Sequence, residues 1–234
     1  MKKMTLLLAA CFIAFAGYIQ AQDAEEGFVS LFNGKDLTGW TGDERLWTVE
    51  DGCLVGRTDN DARKIEKNTF LIYDKPFGNF TLKFDFWISK SGNSGLQYRS
   101  WVIEDTTPFR LGGYQGDFDG SATYSGIVYG EGFRGILAQR GTLGVIGDDH
   151  EPKEAERFAA NDDLKKVVKI EDWNSYEITA NGFSFEHKIN GVVMSRLNDN
   201  DTSMRRADGL LGIQVHAGLG AMEVRVKNIR IKEL

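Results

Sequence analysis

The chain has 234 residues, with 28 Lys and Arg against 34 Asp and Glu, a formal net charge of −6. That balance argues against a nucleic-acid backbone as partner, which would favour a basic face, and three prolines are too few for a Pro/Gly low-complexity chain. Hydrophobics at 41% and aromatics at 12% suffice for a real core, and one β-sandwich or barrel domain suits this length as well as two smaller domains.

Residues 1–21 begin with Lys2 and Lys3, run apolar from Leu6 to about Gly17, and end in small residues. This is the layout of a secretory signal peptide, too short and wrongly flanked for a spanning helix. Cleavage is expected after Ala21, with Ala16 as a second option. Leu8-Ala9-Ala10-Cys11 offers a lipoprotein box, disfavoured because apolar residues continue past Cys11. No other stretch reaches the ~18 apolar residues of a membrane span. The expected location is periplasmic or extracellular. Loss of Lys2 and Lys3 would take the net charge from −6 to −8 and leave Cys53 as one cysteine, so no intrachain disulfide can form. Cys53, in Cys53-Leu54-Val55, reads as a buried small hydrophobe. Residues 22–27 read as a short extension and 28–234 as one domain.

Along that domain the hydrophobic period is two. Phe80–Trp87, Leu96–Trp101, Tyr176–Ala180, Phe183–Ile189 and Met222–Lys232 alternate apolar and polar residues, as half-buried antiparallel strands do. Asn33-Gly34, Asp51-Gly52, Ser91-Gly92-Asn93, Asn181-Gly182, Asn190-Gly191 and Asp208-Gly209 supply turns between them. Residues 176–195 should form a three-strand meander. One stretch, near 151–166, is rich in Glu, Lys and Ala and predicts a helix or an insertion loop. The fold class is all-β, a sandwich or jelly roll of two antiparallel sheets with at most one or two short helices.

Four strands carry polar groups on one face. The alternation puts Gln97, Arg99 and Trp101 together, Gln115 with Asp117, Tyr129 with Glu131, and Gln214 with His216. A solvated face would be rich in Lys, Glu and Thr, as 222–232 is. Amides, guanidinium groups and aromatic rings instead suit sugar hydroxyl pairs and the C–H face of a pyranose. If these strands adjoin, they line a groove; otherwise the face is merely solvated. His216 suits either proton transfer or a structural hydrogen bond. His187 shares a face with Phe183 and Phe185 and suits packing as well as substrate contact. Glu131 is flanked by Gly130 and Gly132, with Arg134 three positions on. Asp117-Phe118-Asp119 and Asp199-Asn200-Asp201 place oxygens at alternate positions, a weak calcium signal. There is no Walker motif, GxSxG, HExxH or CxxC.

Several segments together resemble the 3-keto-disaccharide hydrolases. They are Phe28–Trp40, Gly92–Arg99, Gly113-Tyr114-Gln115, Asp172–Ile178, Asn190-Gly191-Val192, Gly212–His216 and Val226–Lys232. The middle, Gly112–Gly144, departs from members with an acidic, His-rich loop there. The resemblance implies a concanavalin A-like jelly roll in an exported protein that cleaves 3-keto-glycosides. A ketone at C3 acidifies the C2 hydrogen, so the glycosidic bond can break by elimination. That needs a base at C2, an electrophile at the C3 oxygen and an acid at the leaving oxygen. On this resemblance His216 and Glu131 would be base and acid, in either order. Arg99, Arg134 or a divalent metal (calcium or a transition metal) would stabilise the enolate. Gln97, Trp101, Gln115, Asp117, Tyr129, His187 and Gln214 would contact the saccharide. A non-catalytic carbohydrate-binding module and a laminin-G-like interaction domain are the competing readings.

Overall fold

The computed structural model describes residues 25–234, so the expected signal peptide and Cys11 lie outside the described residues. The period-two segments form strands Val29–Ser30 (β1), Trp40–Thr41 (β2), Trp47–Glu50 (β3), Cys53–Thr58 (β4), Thr69–Tyr73 (β5), Phe80–Ile88 (β6), Asn93–Val102 (β7), Leu111–Asp119 (β8) and Val128–Glu131 (β9). They continue as Gly135–Ala138 (β10), Thr142–Ile146 (β11), Pro152–Arg157 (β12), Asn174–Asn181 (β13), Ser184–Ile189 (β14), Val192–Asp199 (β15), Leu210–Val215 (β16) and Met222–Glu233 (β17). The one helix among the described residues is Asn161–Lys165 (α1).

One sheet has the order β12-β11-β15-β14-β13-β6-β17-β4-β3, with β1 added on β17; the other has the order β10-β9-β8-β7-β16-β5-β2. The all-β sandwich is as expected, and 176–195 is the β13–β14–β15 meander. One pair, β11 with β15, is parallel. The stretch near 151–166, expected as a helix or an insertion loop, divides: β12 pairs antiparallel with β11 at a sheet edge, its charged side chains exposed. Edge pairing there overrides the helical leaning of its Glu and Ala residues, and only Asn161–Lys165 coils.

Apolar faces of the two sheets meet in the core. On β6 the alternation is strict, with Phe80, Leu82, Phe84, Phe86 and Ile88 buried. Phe86 stacks on Phe118 of the opposite sheet at 4.3 Å between centroids, and Phe185 meets Tyr114 at 4.6 Å. Such ring pairs add about 0.5–1.5 kcal/mol beyond the area they bury. Every residue of β8 is buried, although its odd positions include Gln115, Asp117 and Asp119. Its even positions feed the core, and its odd positions lie on the outer face of the smaller sheet beneath connecting loops. Among the described residues no helix is long and apolar enough to cross a membrane.

Candidate active site

Register places the polar side chains on that outer face. Tyr129 stands opposite Gln115, Gln115 opposite Gln97, and Gln97 opposite Gly212. One row along, Asp117 stands opposite Gly95. Gln214 stands opposite Phe70 on β5. Gly95 is the floor between these groups. A Cβ there would lie 2.5 Å from the Gln115 amide, so only glycine lets Gln115 lean across the sheet.

A cavity of about 530 Å³ opens above this floor, within the range of small-molecule sites (about 300–1,000 Å³). Its polar groups come from Gln115, Asp117, Tyr129, Glu131, Gln214 and His216, all singled out by the sequence. Asn68, Asn93 and Tyr124 join them unforeseen. Asn93 shares the parity of Gln97 and could have been found by extending that strand backward. Asn68 lies just before an apolar strand and leaves no comparable signal.

Asp117, Gln115, Gln214, Glu131 and Asn68 form one hydrogen-bonded chain along the cavity. Gln115 Nε2 donates to Asp117 Oδ1 at 2.5 Å, and the Gln115 and Gln214 amides meet at 3.4 Å. Gln214 Nε2 donates to Glu131 Oε2 at 3.3 Å, and Asn68 Nδ2 to Glu131 Oε1 at 3.1 Å. Asn68 Oδ1 accepts from Ala217 N at 2.9 Å, which ties the end of β16 to the loop before β5. His216 Nδ1 lies 2.6 Å from the Ala217 carbonyl. A carbonyl only accepts, so Nδ1 carries hydrogen and Nε2 is the basic nitrogen of the neutral ring.

Burial pushes the Asp117 carboxyl up to about 8, helped by the charges of Glu131 and Asp119 and only partly offset by the Gln115 hydrogen bond. Asp117 is therefore a neutral acid at pH 7. A carboxylic acid and a basic imidazole nitrogen thus share one cavity.

The expected common face of Gln97, Arg99 and Trp101 fails at Arg99. There β7 carries a bulge: between the pairs Tyr98–Tyr114 and Trp101–Gly112, Arg99 and Ser100 stand against Gly113 alone, two residues against one. Arg99 takes φ 48°. Beyond the bulge the parity inverts. Trp101 packs edge-on against Phe133 and under Arg206. The buried Arg99 guanidinium donates to the Gly78, Gly182 and Arg206 carbonyls at 3.1, 2.6 and 3.1 Å and to Asn79 Oδ1 at 2.9 Å. Gln97 keeps its face but is fully buried, with no partner for either amide atom among the described residues, and does not line the cavity.

Arg134 and His187 also stand apart from the cavity. Arg134 is buried against Asp199 and Asp201, 3.1 Å from the latter. His187 lies in the core, with Nε2 3.0 Å from the Tyr98 hydroxyl and Nδ1 3.2 Å from the Ile127 carbonyl. Burial pulls its pKa down to about 4.

The weak calcium signals resolve into protein contacts. Asp199 and Asp201 hold Arg134, and Asp119 accepts from the backbone of Ser121, Thr123, Tyr124 and Ser125. Among the described residues no three His, Cys, Asp or Glu side chains gather as metal ligands. In the cavity both Glu131 oxygens accept from amides and His216 Nδ1 faces a carbonyl. This donor set does not fit a resident divalent cation, and no step below is routed through one.

The profile of the 3-keto-alpha-glucoside-1,2-lyase-like domain matches residues 27–232. The chain belongs to this family. Similarity to the 3-keto-disaccharide hydrolase of Bacteroides thetaiotaomicron is 36% identity over 80 residues, 31% of this chain and 27% of that protein's length. A Parabacteroides distasonis structure described as a "putative glycosyl hydrolase" superposes with a TM-score of 0.59 at 25% identity, covering 89% of this chain and 94% of that one. The carbohydrate-binding module CBM66 of Bacillus subtilis shares the fold, with a TM-score of 0.53 at 16% identity over 83% of this chain and 96% of its own. In this family member the cavity opens on the outer face of the smaller sheet, where the sequence placed its polar strands.

Proposed function

We propose that this protein cleaves 3-keto-glycosides by elimination across C1 and C2, with the 3-keto sugar in the main cavity. The observation that carries the reading is that a neutral Asp117 and His216 Nε2 line the same cavity, with Gln115, Gln214 and Glu131 hydrogen-bonded in series from Asp117. Family membership supports the substrate class.

In this reading His216 Nε2 takes the C2 hydrogen as a proton. The C2–H electron pair becomes the C2–C3 double bond of an enolate, and the C3 carbonyl π pair moves onto the C3 oxygen. Neutral Asp117 donates a hydrogen bond to that oxygen, the role the sequence had offered to Arg99 or Arg134. As the C3 carbonyl re-forms, the C2–C3 π pair becomes the C1–C2 double bond, the C1–O pair leaves with the oxygen, and that oxygen receives the proton from His216. Water added across C1–C2 would complete a net hydrolysis. The charge of Glu131 adds to the burial that keeps Asp117 protonated, Glu131 accepts from sugar hydroxyls, and the Tyr129 ring offers a surface for the C–H face. Residues 1–21, as an export signal, would place the activity outside the cytoplasm.

The test is turnover of a 3-keto-disaccharide by the purified protein, followed by chromatography of released sugar. His216→Gln should fold like the wild type and lose about 10²–10⁴-fold in kcat. Saturable binding of the sugar without release would contradict the reading and favour a binding module.

A further inference from the structure

A second cavity, of about 220 Å³, lies beside the main one, and His216 lines both. The same two connections build both. The β4–β5 loop gives Asn60 and Ile65 to the small cavity and Asn68 to the large one; the β16–β17 loop gives Gly218 and Gly220 to the small one and Leu219 to the large one. At this size the small cavity is below the ~300 Å³ of a self-sufficient ligand site, so it takes part of a ligand.

Its walls are fixed in advance. Thr58 Oγ1 donates to the Gly220 carbonyl at 2.7 Å, and Asp59 Oδ1 accepts from the Asp61 and Arg63 amides at 2.8 and 2.9 Å. Gly220 has φ +71°, and a Cβ there would come within 3.2 Å of the Asn60 amide, narrowing the space. The exposed Asn60 side chain has no hydrogen-bond partner among the described residues and can both donate and accept. Ile65 supplies an apolar side. An amide beside an aliphatic wall suits a hydroxylated ring, polar at its edge and apolar on its face.

We propose that this cavity receives the leaving group of the substrate, a neutral sugar or polyol unit. The scissile bond then lies at His216, the boundary between the two cavities. This rests on the elimination reading above, and it makes Asn60 a specificity-determining residue.

The experiment compares kcat/KM for two substrates sharing the same 3-keto sugar. One carries a hexosyl leaving group and the other a methyl group too small to fill the cavity. Asn60→Trp, which fills the cavity from an exposed position, should lower the hexosyl-to-methyl ratio by about tenfold or more, and Asn60→Ala should lower it less, in the same direction. Matching thermal transitions establish that both variants fold. A ratio unchanged from wild type in both variants overturns the subsite and leaves the elimination reading standing. Wild-type protein that cleaves neither substrate overturns the elimination reading, and the subsite with it.

Discussion

Gln115 donates its side-chain amide to Asp117 across the bare backbone of Gly95, at 2.5 Å. The hydrogen bond lowers the Asp117 pKa, yet burial and the charges of Glu131 and Asp119 outweigh it and leave the carboxyl near 8. Activity that needs neutral Asp117 should therefore fall as pH rises through about 8. Asp117→Asn, whose amide still donates but does not ionise, should keep measurable activity and lose that alkaline limb. A limb unchanged in the variant would assign it to another group.

The same carboxyl links pH to stability. In the unfolded chain it ionises near 3.8, whereas the fold holds it neutral to about 8. The stabilisation is full below about 3.8 and is lost as pH rises toward 8. Urea midpoints of wild type should fall between pH 6.5 and 8, and those of Asp117→Asn should fall less. His187 acts oppositely. Its folded pKa of about 4 lies below the ordinary 6.5, so its stabilisation is present above 6.5 and lost as pH falls toward 4. His187→Gln should lose that acid-side dependence; an unaltered acid-side slope would show that His187 does not set it.

Gly95 is the position where a single methyl should be most disruptive to the site. Gly95→Ala places a carbon against the Gln115 amide and should cost about 1–3 kcal/mol of stability by overpacking, with activity falling alongside. Adding Gln115→Ala removes the obstruction, so the double variant should recover stability but not activity. Additive losses in a denaturant cycle would contradict the contact.

Arg99 is a structural arginine in this geometry. It serves three carbonyls and the Asn79 side chain from a buried site. Arg99→Ala should orphan those acceptors and lower unfolding free energy by at least about 2 kcal/mol. Unchanged stability with abolished turnover would return Arg99 to the chemistry.

Most of the site was legible because a strand's period of two is rigid. Gln115 with Asp117, Tyr129 with Glu131 and Gln214 with His216 needed only intact alternation to share a face, and all six line the cavity. The pattern broke where alternation broke. The bulge at Arg99 leaves no local signature, since an arginine at φ 48° is held by distant carbonyls rather than by its neighbours. His187 follows the period faithfully, but its face is the core, where two tyrosine hydroxyls and the Ile127 carbonyl just before β9 satisfy it. The neutral state of Asp117 depends on burial beneath loops, and Asn68 reaches Glu131 from 63 residues away. Both are tertiary facts. At 152–157 composition favoured a helix, and the free edge of β11 decided for a strand.

The most direct test of the elimination reading is the fate of the C2 hydrogen. A 3-keto-disaccharide is cleaved by the protein in D2O, and the released 3-keto sugar is examined by NMR at short times against an enzyme-free control. Removal of the C2 proton and later hydration of the C1–C2 bond should leave deuterium at C2 in step with bond cleavage. Release of sugar with its C2 hydrogen fully retained would contradict the account and indicate displacement at C1.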